Sequence, residues 1–485
     1  MKESKTIKSL SKIISGQVLY EKEILEYYSV DASSYQIFPK AVVIAKDEKD
    51  VIALVKYSNK TKTPVTVRGA GTGLVGGALN DGIILDLKNL NSINIEENFV
   101  RVGSGISKGL LDKKLKEKNK FFPPNPSIGS FCSIGGMIGN NASGSHSVKY
   151  GSVIDNVEEI TMINGRGEKI TLPADINVGK KIISFSKKIN AKKFPSTSKN
   201  SSGYRIDAVK SLQETQKVIV GSEGTLGIVI SSKLAIRDIP KSKILFVIEY
   251  SALQTASKDC RKILQTSPSA IEFIDRNTMK YIPEKFNKKI KCMLFVEYDS
   301  DFESKEESLK KIIDGNITVR VSNEREIANW WKYRDSSLHY SLKSINKKKI
   351  IPHIIEDAAV PIEKIESLFS LIKKINQKFD TKSIMYGHAG NANIHVRLIL
   401  DRKKILQMKL ISKYYFREVI NMGGTISGEH GDGLARTEYI KLQYGNQNHQ
   451  IFKKIKKFFD PNSILNPNKI ISDKSTMLKN IQKNT

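Results

Sequence analysis

Short apolar runs alternate with charged, helix-forming stretches along most of the chain. The apolar run 41–45 predicts a buried strand, and the acidic residues Asp47 and Glu48 predict the first turn of a helix that ends near Lys60. The next apolar run, 64–67, predicts a second strand that leads directly into a glycine-rich loop. The first part of the chain therefore predicts strands and helices in alternation.

The same pattern divides the chain into parts of different character. Residues 1–38 are polar and predict a helical lead. Residues 39–239 predict short strands and glycine-rich turns, which are typical of an α+β domain built around a backbone-lined groove. Residues 240–402 alternate predicted strands with helices, as in an antiparallel sheet covered by helices. Residues 403–474 predict a helix, a glycine loop and a second helix, and residues 475–485 form a polar tail.

The composition excludes several classes of protein. With 485 residues, 39% of them hydrophobic, the chain is long enough for two or three domains. The longest apolar runs, such as 244–248, are far shorter than the roughly 18 to 20 residues that a membrane helix needs. Residues 1–16 lack the continuous apolar stretch of a secretory signal. We therefore expect a cytoplasmic protein with at most peripheral membrane contact.

The spacing of the cysteines and the net charge exclude further classes of protein. Cys132, Cys260 and Cys292 are far apart without any CxxC pair, which excludes a cysteine zinc site, an iron–sulfur cluster within this chain and a disulfide framework. The net charge is +29, yet only 14 of the 79 basic residues are arginines, and no basic patch is interleaved with aromatic residues. We predict no nucleic-acid binding. Compositional bias explains the charge best, and a loose attraction to anionic lipid is the functional alternative.

The glycine-rich loop 68–77 has the composition of a phosphate-binding loop. Five glycines in nine residues allow backbone N–H groups to approach a pyrophosphate closely. Gly71, Gly73 and Gly76 match GxGxxG, but a dinucleotide-binding site would need a following helix. Instead, the turn 80–82 leads into another predicted strand, so a nicotinamide site is not predicted. An ordinary tight turn remains the alternative.

Two further segments favour a bound ring system. The 28 residues from 121 to 148 contain no Asp, Glu, Lys or Arg, so we expect this segment to be buried. Apolar anchors such as Phe131 and Met137 stand among small residues there, which suits a flat ring lying on backbone. The loop 221–227 precedes a predicted strand, and its Glu223 carboxylate is predicted to meet a ribose or an adenine edge.

The three segments RGAGTGLVGGA, PPNPSIGSFCSIGGMIGNNASGSHSVKYG and VGSEGTLGIV together resemble the FAD-binding half of the D-lactate dehydrogenase and glycolate oxidase flavoprotein family. The resemblance implies a two-part FAD-binding domain of the vanillyl-alcohol-oxidase type, a substrate domain and a C-terminal segment that returns to the flavin. It also implies non-covalent FAD, with the pyrophosphate on 69–74 and the nucleotide end at Glu223 and Ile228. His146 is expected to form hydrogen bonds, and a covalent flavin bond is the alternative. The implied cofactor-binding residues are Arg68, Gly69, Ala70, Gly71, Thr72, Gly73, Leu74, Pro124, Ser127, Gly135, Gly136, Asn140, Gly144, Glu223, Ile228 and Asn466, with Asn466 near the isoalloxazine.

Three of the seven histidines fall in two glycine-rich stretches, 387–395 and 428–433. The first stretch predicts a strand that turns and returns, so His388 and His395 can meet across the turn. With Glu429 they would form two imidazoles and one carboxylate around an open position, which is a known arrangement for catalytic zinc. The alternative is that these side chains only cap turns.

The patterns HxGxxNxH and GEHGDG in these stretches resemble the two motifs that supply a divalent metal and a neighbouring catalytic histidine in 2-hydroxy-acid dehydrogenases. The resemblance implies that His430 is catalytic and that the metal is zinc, with manganese or iron as alternatives. Family members usually carry Asp and Gly where this chain has Asn391 and Ala392. Loss of that acid predicts a weaker metal site or altered hydrogen bonds around it.

These residues suggest a concrete reaction. A metal on the substrate hydroxyl and carboxylate would lower the pKa of the alcohol, and His430 could take the proton near neutral pH. The C2 hydrogen would leave as a hydride to flavin N5. Arg334 offers a bidentate fork for the substrate carboxylate. By resemblance, Arg334 and Lys349 occupy the substrate-anion positions, and the alternative is that both are surface charges.

The sequence thus predicts an FAD-dependent dehydrogenase that oxidises a small D-2-hydroxy acid of the D-lactate, glycolate or D-2-hydroxyglutarate class. Because no nicotinamide site is predicted, we expect a quinone, a cytochrome or a separate iron–sulfur protein as electron acceptor. Two alternatives are a flavin-dependent transferase of the alkyl-dihydroxyacetonephosphate synthase type and a non-catalytic flavin subunit of a larger oxidase.

Overall fold

The computed structural model describes residues 5–280, 282, 286–300, 302–336, 339, 348–472 and 474–482. The first sheet is mixed, because its outer strand Gln17–Leu19 runs antiparallel to the other three. Its strands, in spatial order, are Gln17–Leu19, Ala41–Ile44, Ile83–Asp86 and Val65–Arg68. The helix Glu48–Thr61 covers this sheet and begins at Asp47, whose side chain accepts hydrogen bonds from the backbone of Lys49 and Asp50.

The second sheet is antiparallel and completes the N-terminal half. Its strands, in spatial order, are Ile93–Ile95, Phe99–Gly103, Ile228–Ala235, Val157–Ile163 and Lys169–Leu172. The long C-terminal helix Ile440–Phe459 packs into the same hydrophobic core through Tyr444, Phe452 and Phe459. The predicted domain 39–239 is therefore completed by a segment from the far end of the chain.

The third sheet is antiparallel and has seven strands. In spatial order they are Asn316–Val321, Ile244–Tyr250, Cys292–Tyr298, Ala270–Asp275, Lys382–His388, Asn393–Asp401 and Lys349–Ile350. The helices Leu253–Leu264, Ile365–Lys378 and Gln407–Asn421 cover one face, and Glu324–Asp335 packs on the other. The predicted α+β class, with an antiparallel sheet covered by helices, is confirmed.

The remaining helices are mostly short and connect these sheets. They are Lys5–Ser11, Lys22–Tyr28, Lys108–Lys116, Ile134–Gly139, Ser147–Tyr150, Val153–Asn156, Ile176–Ser186, Arg276–Met279, Phe302–Ile312 and Gly433–Arg436. Lys120–Phe121 and Arg237–Asp238 form an additional two-stranded sheet. Within the described ranges, we find no helix that combines the length and the apolar composition needed to span a bilayer.

The two ends of the chain differ from the sequence-based expectation. The lead 1–38 contains the strand Gln17–Leu19 as well as short helices, because Val18 pairs with Val43 and extends the first sheet. The polar tail is also packed against the protein. Met477 is fully buried, and its carbonyl accepts a hydrogen bond from the Tyr35 hydroxyl at 2.7 Å. Backbone hydrogen bonds from Gln36 to Asn480 and from Gln482 to Ser34, both at 2.9 Å, also fix this tail to the lead.

Candidate active site

A cavity of about 560 Å³ is lined by residues from both halves of the chain, within the size range of small-molecule sites. Backbone of the loop 69–75 and of the helix Ile134–Gly139 lines one part of it. Polar and charged side chains line another part, namely Arg334, Asp335, Tyr386, His395, Arg397, Glu429 and His430. One cavity therefore joins the glycine-rich segments to the histidine cluster.

The glycine loop and the charge-free segment pack closely because their backbones carry so few side chains. A Cβ on Gly69 would lie 2.0 Å from Ser133 Oγ, so no other residue fits there without a shift. Ser133 in turn accepts a hydrogen bond from the Gly136 backbone at 3.1 Å. Gly71 has a φ of +70°, which favours glycine. Exposed backbone N–H groups in such a loop suit a pyrophosphate, so this part of the cavity fits FAD.

Most of the predicted cofactor-binding residues line this cavity. They are Arg68, Gly69, Ala70, Gly71, Thr72, Gly73, Leu74, Ser127, Gly135, Gly136, Asn140 and Glu223. The Arg68 side chain points to the N-terminal lead, where Nη1 donates to the Val30 carbonyl at 2.6 Å. The side chain thus fastens the lead to the loop.

Four predicted cofactor residues lie outside the lining that the described residues form. Ile228 belongs to the core between the first two sheets, and Pro124 is buried. Gly144 packs on the backbone of Asn125, where a Cβ would lie 2.0 Å from the carbonyl oxygen. Asn466 donates to the Glu223 carbonyl at 2.6 Å and accepts from the Thr66 hydroxyl at 2.9 Å. Asn466 also donates to the Gly77 carbonyl at 2.9 Å, so it links the glycine loop to the loop 221–227.

The Glu223 carboxylate connects the FAD-binding half to the GEHGDG loop. It accepts hydrogen bonds from the backbone N–H groups of Asp432 at 2.6 Å and Gly433 at 3.0 Å. Burial, together with the nearby Asp432 carboxylate, raises the pKa of Glu223 to about 8. Glu223 also lines the cavity. Its contact with a ribose or an adenine edge remains a prediction.

His388, His395 and Glu429 come together as predicted, at the turn between the strands Lys382–His388 and Asn393–Asp401. Glu429 Oε1 lies 3.1 Å from His388 Nε2 and 3.2 Å from His395 Nε2. All three side chains are buried, and their ligand atoms lie within 4.8 Å of one another. The donor set of two imidazoles and one carboxylate is one that binds zinc and related divalent metals.

The opposite nitrogen of each imidazole is already held by the protein. His388 Nδ1 lies 2.7 Å from Glu272 Oε1, and His395 Nδ1 lies 3.3 Å from the Glu356 carbonyl oxygen. These acceptors favour a proton on Nδ1, which leaves the Nε2 lone pairs directed at the common site. Burial lowers the pKa of His395 to about 4, so this imidazole is neutral and able to bind a metal. The residues present therefore fit a divalent metal.

Lys199 was not predicted from the sequence, yet its ammonium group is fully buried against the cluster. Lys199 Nζ donates to Glu429 Oε2 at 2.9 Å, and the Ser143 hydroxyl donates to the same oxygen at 2.6 Å. Glu429 Oε2 is thus held by two donors, while Oε1 faces the histidines. Burial raises the pKa of Glu429, but the neighbouring His388 and Lys199 outweigh that effect and hold the pKa well below its usual range.

His430 stands beside this cluster and is held by acidic residues on a neighbouring segment. Its Nδ1 lies 2.9 Å from Glu356 Oε2, and its backbone N–H donates to Asp357 at 2.8 Å. Although burial lowers the pKa of His430, the Asp357 and Glu356 carboxylates raise it well above the usual value. His430 Nε2 lies 3.4 Å from Glu429 Oε1, so the free nitrogen faces the predicted metal site.

Glu356 is another residue of the site that the sequence analysis did not identify. It is fully buried, and Arg436 Nη2 donates to its Oε1 at 2.5 Å. The His430 and Arg436 charges hold the pKa of Glu356 well below its usual range despite burial. Glu356 and Glu272 each interrupt an apolar stretch, and a charged residue in such a stretch is the signal that could have identified them.

Arg334 and Lys349, the two residues predicted to bind the substrate carboxylate, lie in different places. Arg334 is buried at the cavity, where its Nε donates to Glu272 Oε2 at 2.6 Å. Lys349 does not line the cavity; its side chain is 41% exposed and its Nζ lies 3.7 Å from Asp401. The resemblance assigned Lys349 to the anion site, but the edge strand Lys349–Ile350 directs it to the surface pair with Asp401.

Asn391 and His146 also have defined partners. Asn391 accepts from the Ser147 hydroxyl and donates to the Ser198 hydroxyl, both at 2.9 Å. Its amide therefore supports the turn and does not contact the three predicted ligands. His146 Nε2 lies 2.9 Å from Glu297 Oε1, which agrees with the hydrogen-bonding role expected for it.

Both halves of the fold match known families of FAD-linked proteins. Residues 39–173 match the family model described as an FAD binding domain, and residues 239–470 match the model of the FAD linked oxidases, C-terminal domain. The chain belongs to this family of FAD-linked oxidases.

The chain is similar to several hydroxy-acid oxidoreductases over most of its length. It is 29% identical to D-lactate dehydrogenase of Anaerostipes hadrus, covering 96% of both chains. It is 28% identical to glycolate oxidase subunit GlcD of Bacillus subtilis, covering 92% of both. It is 27% identical to D-2-hydroxyglutarate dehydrogenase of Pseudomonas putida, covering 94% of this chain and 50% of that relative.

Among solved structures, the chain resembles alkyldihydroxyacetonephosphate synthase. The TM-score is 0.68 at 15% sequence identity, and the match covers 96% of this chain and 85% of the other. At this identity the likeness shows a shared fold alone. FAD-binding and oxidoreductase chemistry therefore rest on the family and not on this neighbour.

Proposed function

We propose that the protein is an FAD-dependent dehydrogenase that converts a small D-2-hydroxy acid into the 2-oxo acid. The observation that carries this proposal is the position of His388, His395, Glu429 and His430 along the same cavity that the glycine-rich segments line. The names of the relatives, which include D-lactate dehydrogenase and glycolate oxidase, support a 2-hydroxy acid as substrate. The electron acceptor in this proposal is a quinone, a cytochrome or a separate iron–sulfur protein.

The chain would contribute binding, orientation and proton transfer. FAD, when bound, supplies a two-electron acceptor for the C2 hydrogen, and a divalent ion at the three ligands would supply Lewis-acid stabilisation of substrate oxygens. In its neutral form, His430 Nε2 takes the hydroxyl proton. Glu356, which raises the pKa of this imidazole, holds the opposite nitrogen at 2.9 Å and stabilises the resulting imidazolium. Loss of one proton and one hydride balances the conversion of hydroxy acid to oxo acid.

Two alternatives are distinguished by direct measurements. A flavin-dependent transferase would share the fold but would not reduce its flavin with a hydroxy acid. A non-catalytic flavin subunit would lack a functional metal site, so stoichiometric bound metal favours catalysis.

Anaerobic reduction of the flavin tests the proposal. Purified protein is mixed without oxygen with D- and L-forms of lactate and 2-hydroxyglutarate and with glycolate, and the visible flavin absorbance is recorded. We expect at least one D-acid or glycolate to bleach the flavin, and we expect added NAD to remain unreduced. If every acid left the absorbance unchanged, or if only L-acids bleached it, the proposed activity would be wrong.

A substitution at Gly73 tests whether the glycine loop holds FAD. A Cβ at this position meets no protein atom within 4 Å, and Gly73 lines the cavity, so Gly73→Val would extend into the space assigned to FAD. We expect FAD to bind about 10- to 100-fold more weakly, as for overpacking of a filled site. Fluorescence titration of the apoprotein with FAD measures this change.

The unfolding temperature of the apoprotein provides the control for Gly73→Val. It should not fall below the wild-type value, since a Cβ at this position meets no protein atom within 4 Å, and the smaller Gly73→Ala should give an intermediate affinity. Unchanged FAD affinity in Gly73→Val would place the cofactor elsewhere in the cavity.

A further inference from the structure

Arg397 is a buried cation at the cavity to which neither the motifs nor the mechanism assigns a role. It lies two residues after His395 on the strand Asn393–Asp401, so both side chains project from the same face of the sheet. The residue is 1% exposed and lines the cavity, and its Nε donates to the Tyr386 hydroxyl at 2.9 Å. Tyr386 therefore fixes one edge of the guanidinium.

The buried cations around the histidine cluster differ in how their charges are balanced. Three of them have a carboxylate oxygen within 3 Å: Arg334 contacts Glu272 at 2.5 Å, Arg436 contacts Glu356 at 2.5 Å and Lys199 contacts Glu429 at 2.9 Å. For Arg397 the corresponding distance, from Nη1 to Glu356 Oε2, is 4.0 Å. Glu356 Oε2 already lies 2.9 Å from His430 Nδ1.

Arg397 Nη1 has no hydrogen-bond partner within the part of the chain that the structure describes. A buried guanidinium without a matched anion is costly, because desolvation of the charge is not offset by a hydrogen-bonded partner. A divalent ion at the three ligands would add further positive charge close by. An anionic group of the substrate is the partner that would complete this site.

The position of Arg397 indicates which anionic group that would be. Alternate residues on one face of a strand are about 6 to 7 Å apart, so Arg397 lies one side-chain position beyond the predicted ligand His395. Glu356 Oε2 lies 4.0 Å from Arg397 Nη1 and 2.9 Å from His430 Nδ1, so both side chains lie near the same carboxylate. The guanidinium therefore suits a group several bonds away from the hydroxyl that His430 would deprotonate.

We infer that Arg397 binds the second carboxylate of a dicarboxylic 2-hydroxy acid and so selects this substrate class. The inference rests on the proposed function and adds to it the recognition of the end of the substrate that does not react. Charge-assisted hydrogen bonds from arginine to carboxylate give this kind of selectivity, because a neutral end group would leave the guanidinium unpaired.

The test compares two acids that differ only at the far end, D-2-hydroxyglutarate and D-2-hydroxypentanoate. For the wild-type holoenzyme we expect kcat/KM to be about 10- to 100-fold higher with the dicarboxylate, the range for one charge-assisted hydrogen bond. In Arg397→Met this preference should disappear through loss of activity on the dicarboxylate, and Arg397→Lys should keep part of it. Arg320→Met, which removes an exposed arginine from the same sheet, should keep the wild-type preference.

Binding of the products gives a readout that does not depend on turnover. Calorimetric titration of wild-type holoenzyme should show tighter binding of 2-oxoglutarate than of 2-oxopentanoate, and this measurement needs no variant to fold. Equal affinity for the two products in the wild type would overturn the inference. An equal loss of kcat/KM on both acids in Arg397→Met would also overturn it, since Arg397 would then bind the carboxylate next to the hydroxyl.

The two proposals fail in different ways. If monocarboxylic acids reduce the wild-type flavin with the same kcat/KM as dicarboxylic ones, the dehydrogenase proposal stands and the role of Arg397 is wrong. If no hydroxy acid bleaches the flavin, the proposed function itself is wrong.

Discussion

Replacing His430 with alanine is expected to reduce the rate of flavin reduction by hydroxy acid about 100- to 10,000-fold, the usual contribution of a positioned general base. The reason is the orientation of this imidazole. Glu356 and Asp357 hold one ring nitrogen and the backbone, and the other ring nitrogen faces the predicted metal ligands. Stopped-flow absorbance under anaerobic conditions measures the rate.

FAD content is the control for His430→Ala, because the glycine loop that fits the pyrophosphate lies in another part of the cavity. Added imidazole should restore part of the rate, since the deleted ring leaves a space beside Glu356. Loss of FAD together with activity would instead assign His430 a structural role. A rate close to wild type would remove it from the chemistry.

Loss of a metal ligand is the second substitution with a large expected effect. His388→Ala should abolish stoichiometric metal binding and lower the rate of flavin reduction by at least about 100-fold, since the ion is the proposed Lewis acid. The Glu272 carboxylate, which now holds His388 Nδ1 at 2.7 Å, would keep its contact with Arg334. Elemental analysis of the purified variant measures the metal.

Glu429→Gln should lose the metal as well, but at a larger cost in stability. Lys199 is fully buried with its ammonium on Glu429, so neutralising the acid leaves an uncompensated charge. Breaking such a pair typically costs about 3–5 kcal/mol in the free energy of unfolding. Denaturant titration should therefore separate Glu429→Gln from His388→Ala, in which this pair remains.

A histidine outside the cluster provides the control for metal analysis. His146→Asn should retain the wild-type metal content, because His146 contacts Glu297 and none of the three predicted ligands. Wild-type protein that bound FAD but no divalent ion would contradict the proposed metal site and favour the non-catalytic alternative.

The part of the site that could be predicted is the part encoded in local sequence. His388 and His395 lie on two strands joined by a tight turn, and their ring centroids are 5.1 Å apart. Alternation along the strands was sufficient to predict this contact. The glycine loop was likewise recognisable because its composition and its position after a strand are local features.

The residues that sequence reasoning missed are brought in by tertiary packing. Lys199, Glu272 and Glu356 each contact the cluster from a different segment, and no spacing rule relates these segments to the two histidine motifs. Arg397 follows His395 by two residues on the same strand, but its unmatched charge became visible only with the surrounding carboxylates in position. For Lys349, the family resemblance predicted a position at the substrate anion, but the structure places the side chain at the surface beside Asp401.

A segment far along the chain completes the FAD-binding half. The helix Ile440–Phe459 packs into its hydrophobic core, and Asn466 links its loops through hydrogen bonds. During synthesis this segment emerges from the ribosome only after the seven-stranded sheet region, from Ile244 to Asp401, has emerged. Until then, the core surface that the helix Ile440–Phe459 covers is exposed on the nascent chain. We expect the nascent chain to depend on chaperones until this helix has emerged, and FAD to enter only afterwards.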